Sequence, residues 1–227
     1  MNPATVIGVI VVAILSITSH EAAHGFVADR LGDPTAREHG RLTLNPIPHI
    51  DPFFTILLPL VLILSHAGFI FGGAKPVPVN VSRLRRPRRD WALVGAAGPA
   101  MNILIAIVLT AVLAAATSLG LASWSSSLAE ILTVGIFLNA LLAVFNLIPI
   151  PPLDGSRVVQ YFLSGEALVL YRRLEQFGLL IIIALVFLIP QIQLPLSQAI
   201  FGLVAAIATP LHVWPAIQQL LQRLLAR

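Results

Sequence analysis

Long apolar runs separated by short polar connectors dominate the chain, and they recur at 3–29, 53–71, 91–119, 126–147, 174–190 and 195–213. A helix that crosses the hydrocarbon core of a bilayer needs roughly 20 largely apolar residues, and each run is near that length. No connector exceeds about thirty residues, which leaves no room for a separate soluble domain such as a PDZ module. Arg41-Leu42-Thr43-Leu44 alternates like a short strand. Gly72 to Asn80 holds Gly72, Gly73, Pro76 and Pro78 and reads as a second extended piece that pairs with the first. No internal repeat is visible. The pattern predicts an all-α polytopic membrane protein with about five or six transmembrane helices, a short membrane-associated β element and a re-entrant segment. It forms a single domain over 1–227, with a core at 1–172 and two additional helices in 173–227.

Composition strengthens this picture. Hydrophobic residues make up 57% of the chain and charged residues 11%, whereas soluble chains carry about a quarter charged residues. The net charge of +4 fits membrane orientation better than nucleic-acid binding. Without cysteine there is no disulfide framework and no thiolate site, so a metal must be held by histidine and carboxylate. Met1 to Ser19 carries no charged side chain and runs directly into His20, so this segment is expected to be a retained span rather than a cleaved leader.

The chemistry starts at the end of the first run, with His20-Glu21-Ala22-Ala23-His24. On a helix, a spacing of four puts both imidazoles on one face. Glu21 lies about 100° around the helix from His20, where it addresses an activated water instead of the metal. Three ionisable groups in five residues, next to an uncharged apolar run, need compensation in a bilayer, and a divalent cation supplies it. The bland alternative is a pair of interfacial histidines at a helix end.

Zinc takes a third protein ligand and keeps one position open. The candidates near apolar segments are His49, Asp51, His66, Asp90, Asp154 and His212. Asp154 stands out because it ends Asn146-Leu147-Ile148-Pro149-Ile150-Pro151-Pro152-Leu153-Asp154-Gly155. Proline and glycine forbid a regular helix there, and irregular backbone at membrane depth must be buried in protein or line a wet cavity. This loop is therefore expected to fold inward; otherwise it is a proline-rich exit turn whose aspartate caps the next helix.

With both motifs in place, most of the chain resembles the site-2 protease family of intramembrane zinc metalloproteases, in its compact form without PDZ or CBS domains. Gly98-Pro99-Ala100-Met101-Asn102 resembles that family's G-P-x-x-N motif, and Gly32, Arg41 to Pro46 and His49 to Pro52 resemble a stretch of its compact members. The resemblance implies His20, His24 and Asp154 as ligands of Zn2+, Glu21 as general base and Asn146 near the scissile peptide. Asn146 either polarises a carbonyl or bonds a neighbouring helix. His49 either donates to an oxyanion or forms a structural turn with Asp51.

Topology follows from parity. His20 and Asp154 share a metal only if an even number of crossings separates them, yet three apolar runs intervene. The run 53–71, with Pro59, His66, Gly68, Gly72 and Gly73, is the one expected to be re-entrant. Five full crossings with the amino terminus outside then place all 14 Lys and Arg inside, as short cytoplasmic loops require. The outer loops, 118–125 and 190–195, are uncharged. The Arg83 to Arg89 cluster meets anionic lipid rather than nucleic acid.

The expected activity is hydrolysis of single-span membrane protein substrates within a prokaryotic inner membrane, releasing a fragment toward the cytoplasm. Two alternatives stay open: a membrane zincin acting on a lipidated or other non-helical substrate, and a metal or ion transporter.

Overall fold

The computed structural model describes residues 2–57, 60–61, 64–65, 72–184 and 190–225. Its helices, in chain order, are α1 (Pro3–Arg30), α2 (Thr35–Glu38), α3 (Pro87–Ser118), α4 (Ser127–Asn146), α5 (Asp154–Phe162), α6 (Gly165–Arg173), α7 (Gly178–Ile183), α8 (Pro190–Ala208) and α9 (Trp214–Leu225). Among the described residues four helices are long and apolar enough to cross a membrane: α1, α3, α4 and the stretch Gln191–Leu211.

Helix α3 is the hub and packs against α1, α4 and α5. Backbone contacts fix the directions. Arg85 N–H donates to the Leu31 carbonyl at 3.0 Å, so the end of α1 meets the approach to α3 and the two run antiparallel. Asn2 donates to the Ser127 hydroxyl at 2.9 Å, so α1 and α4 start at the same end and run parallel. Arg30, the basic segment before α3 and the loop after α4 therefore share one end of the bundle.

Burial is inverted relative to a soluble bundle. Ile7, Ile10, Val11 and Ile14 of α1 and Leu104, Ile107 and Val108 of α3 are exposed, while Ser16, His20, His24, Asn102, Thr110 and Asn139 are buried. A lipid tail is as apolar as leucine, so apolar faces gain little by packing together. Polar groups instead need one another and gather inside.

The expected strands do not form, and the described residues hold no strand at all. Residues 42–44 make bends, and the Arg41 guanidinium donates to the carbonyls of Lys75 and Pro76 at 3.0 and 3.1 Å, replacing a ladder of backbone bonds. Four alternating residues are too few to impose a strand when a charged side chain satisfies the facing carbonyls.

The run 53–71 begins with a π-helical turn, Pro52–Leu57. Its residues 58–59, 62–63 and 66–71, including His66, lie outside the described residues. The run 174–190 divides into a 3-10 turn, Leu174–Phe177, and α7, and its residues 185–189 also lie outside them.

Candidate metal centre

Helix α1 ends at Arg30 and carries His20 ten residues earlier, about 15 Å along the axis. Both imidazoles face α3. Gly98 makes this approach possible, because a Cβ there would sit 2.5 Å from His20 Nε2 and from His24 Nε2. His24 Nδ1 lies 2.7 Å from the Val94 carbonyl. A carbonyl only accepts, so Nδ1 carries the proton and Nε2 presents its lone pair. Pro99 has no N–H for the carbonyl four residues back, so the α3 turn that meets the histidines is loosened. His20 Nδ1 lies 2.5 Å from Asn102 Oδ1.

The loop after α4 doubles back to bring Asp154 to this pair. It closes tightly at Gly155, where a Cβ would lie 2.2 Å from the Leu147 carbonyl oxygen. Asp154 opens α5, but its side chain does not cap that helix. Asp154 Oδ2 instead lies 3.0 Å from His20 Nε2 and 3.1 Å from His24 Nε2, and the two nitrogens are 3.2 Å apart. Arg157 Nη1 holds the other oxygen at 3.2 Å and stacks over Trp91 at 4.6 Å.

This triangle fits zinc. Tetrahedral bonds of about 2.0 Å place ligand atoms about 3.3 Å apart, close to the three separations observed. Two imidazoles and a carboxylate also form a donor set that zinc accepts while keeping a position open. Glu21 stands beside the triangle, with a carboxylate oxygen within 4.8 Å of nitrogens on both histidines. The distances separate two possible trios: Asp154 closes a tighter triangle than Glu21 does. Glu21 Oε2 is also engaged elsewhere, accepting the Val77 N–H at 3.0 Å.

The other candidates are placed in different bonds. Asn146 donates to the Leu142 carbonyl of its own helix at 3.0 Å. His49 is buried in a turn, with Nε2 3.1 Å from the Thr43 carbonyl and Nδ1 without a partner among the described residues. Neither bonds to the triangle. Asp90 accepts the Arg86 N–H at 2.8 Å and caps α3. Asp51 accepts the Phe53 N–H at 2.9 Å, and His212 takes a left-handed conformation after α8.

Two residues at the site gave little or no signal in the sequence. Asn102 appeared only within a motif, and Asn139 lies unmarked in the apolar run of α4. Asn102 donates to Asn139 Oδ1 at 2.8 Å, linking α3 to α4 directly behind His20. Beside the triangle, between α1, α3 and residues 42–44, an apolar cavity of about 560 Å³ is lined by Ala22, Phe26, Leu42, Leu44, Met101 and Leu104.

Known proteins resemble the chain over most of its length. YwhC of Bacillus subtilis is 38% identical over 179 residues, 78% of each chain. Rip2 of Mycolicibacterium smegmatis is 32% identical over 189 residues, 82% of this chain and 70% of its own. Rip2 of Mycobacterium tuberculosis (strain H37Rv) is 32% identical over 198 residues, 84% of this chain and 71% of its own. All three are named as zinc metalloproteases. The family model described as Peptidase family M50 matches residues 115–189, the part that contains the Asp154 loop. No solved structure matches.

Fold, relatives and apolar helices together define an integral membrane zinc metalloprotease, with Zn2+ as its cofactor. The chain belongs to peptidase family M50, as its resemblance to the site-2 proteases implied.

Proposed function

We propose that this protein cleaves single-span membrane proteins within the bilayer, with His20, His24 and Asp154 holding the zinc and Glu21 acting as general base. The observation that carries the reading is the buried triangle of Nε2, Nε2 and Oδ2 at 3.0–3.2 Å, set well inside α1 instead of at its end. A zinc held by His20, His24 and Asp154 would supply an acidified water and polarisation of the scissile carbonyl. Glu21 is aimed by the Val77 N–H on Oε2, which leaves Oε1 to take a proton from the attacking water and return it to the leaving amine. The apolar cavity beside Ala22 and Met101 suits the side chains of a transmembrane substrate. A helical substrate must unwind to expose its carbonyl, and residues 77–80, which pass next to Glu21, offer backbone carbonyls to the opened peptide.

The fragment is released toward the cytoplasm, because the basic end of the bundle, with Arg30, Arg37 and Arg83 to Arg89, is also the end nearest the site. A prokaryotic inner membrane is the matching location. The run 53–71 is read as returning to the face it left. Contacts between its flanks support that: Lys75 N–H donates to the His49 carbonyl at 2.8 Å, and Thr55 donates to the Gly73 carbonyl at 2.6 Å. Because the chain has no native cysteine, a Ser65→Cys variant is expected to react with a membrane-impermeant thiol reagent from the cytoplasmic side only. Reaction from outside removes the even-crossing topology.

The activity test is a panel of single-span substrates offered to the purified enzyme and to Glu21→Gln. The variant is expected to retain zinc and to lose on the order of 10²–10⁴-fold in cleavage rate. Equal cleavage by both ends this reading.

A further inference from the structure

Behind His20 runs a line of hydrogen bonds that crosses three helices and ends on a backbone carbonyl. Asn102 donates to Asn139 Oδ1 at 2.8 Å, and the Asn139 amide donates at 2.8 Å both to Ser16 Oγ and to the Gly135 carbonyl. The Ser16 hydroxyl donates in turn to the Val12 carbonyl at 2.7 Å. Both asparagines are fully buried, where an unmade hydrogen bond costs the most.

An amide can present its oxygen or its nitrogen to a neighbour, and this chain of bonds removes the choice at each link. The Gly135 carbonyl has no proton to give, so Asn139 must turn its NH2 toward it. The Asn139 oxygen then faces Asn102, which must answer with its own NH2. The Asn102 oxygen is thereby left facing His20, whose Nδ1 must carry the proton. Nε2, on the opposite side of the ring, keeps its lone pair directed at Asp154 and His24.

We propose that Asn139 is a positioning residue for the metal centre: it acts through Asn102 to fix the His20 tautomer whose Nε2 binds metal. A carbonyl of α4, acting through Asn139 and then Asn102 of α3, thus sets which ring nitrogen of His20 is available. His24 needs no such device, because the Val94 carbonyl meets its Nδ1 directly at 2.7 Å. This proposal rests on the reading of His20 as a zinc ligand.

Zinc affinity, measured by chelator competition on the full-length protein in detergent, tests it through a double-mutant cycle. Asn102→Leu removes the acceptor and is expected to weaken zinc roughly 10–100-fold, the range for groups that orient metal-bound histidines. Asn102→Asp is expected to retain zinc, since either carboxylate oxygen accepts from Nδ1. Asn139→Leu is expected to weaken zinc about tenfold beside the native Asn102, the lower end of that range. Combined with Asn102→Asp it is expected to have no such effect, because a carboxylate has no orientation to be set. If Asn139→Leu does not accumulate, Asn139→Ala carries the same expectation.

Equal weakening in both backgrounds reduces Asn139 to a packing residue and overturns the proposal, and so does an unchanged affinity in the native background. His20→Ala separates the two levels. If that variant holds zinc as tightly as the native protein, the zinc-site reading itself falls; if zinc depends on His20 but the cycle shows no coupling, only the role of Asn139 falls.

Discussion

One face of α4 presents Gly135 and Asn139 to α1 and α3, and the adjoining face brings Leu132, Ile136 and Ala140 into a cluster with Ile200 and Val204 of α8 and Ile217 and Leu220 of α9. The first contact is made of few, directional hydrogen bonds that end at the metal centre; the second is an apolar cluster with no polar partner to satisfy. In a bilayer the second face gains little over contact with lipid tails and is held by shape. On the first face each bond depends on the next, so a substitution there travels to the site. The same helix therefore serves as a precise support on one side and as a tolerant packing surface on the other.

The contrast can be broken at several depths. The largest effect is expected from Asp154→Ala, which opens the triangle and leaves Arg157 without its carboxylate partner. Zinc should be lost on dialysis and proteolysis fall to background in the substrate assay; retained activity would move the metal elsewhere. Next comes Gly98→Ala, whose Cβ would meet both imidazoles at 2.5 Å. Displaced ligands should weaken zinc on the order of 10–100-fold in chelator competition, with helix content by circular dichroism unchanged. The smallest effect is expected across the other face of α4, where Val204→Ala should lower stability by about 1 kcal/mol in a detergent unfolding titration and leave zinc affinity as it was. A Val204 variant that lost zinc would erase the distinction between the two faces.

The extent to which the sequence could be read follows the same division. His20 and His24 were legible because a spacing of four fixes their shared face within one helix, and Asp154 because a proline-rich loop at membrane depth has few places to go. Asn102 and Asn139 were not. They are 37 residues apart, on different helices, and nothing in the local periodicity of α4 tells an amide facing another helix from one facing lipid. The short strands failed for a related reason: Arg41 spans to the carbonyls of Lys75 and Pro76, a tertiary bond that a four-residue alternation does not encode. Asn146 illustrates the opposite case, an amide in a motif that bonds within its own helix.

The central claim is that one zinc is gripped jointly by His20, His24 and the distant Asp154. Zinc-edge X-ray absorption on the purified Glu21→Gln protein, with and without Asp154→Ala, addresses it most directly. The account predicts a four-coordinate site with two imidazole nitrogens and a carboxylate oxygen, whose zinc is lost or whose coordination changes once Asp154 is removed. An unchanged spectrum and zinc content after that substitution would contradict it.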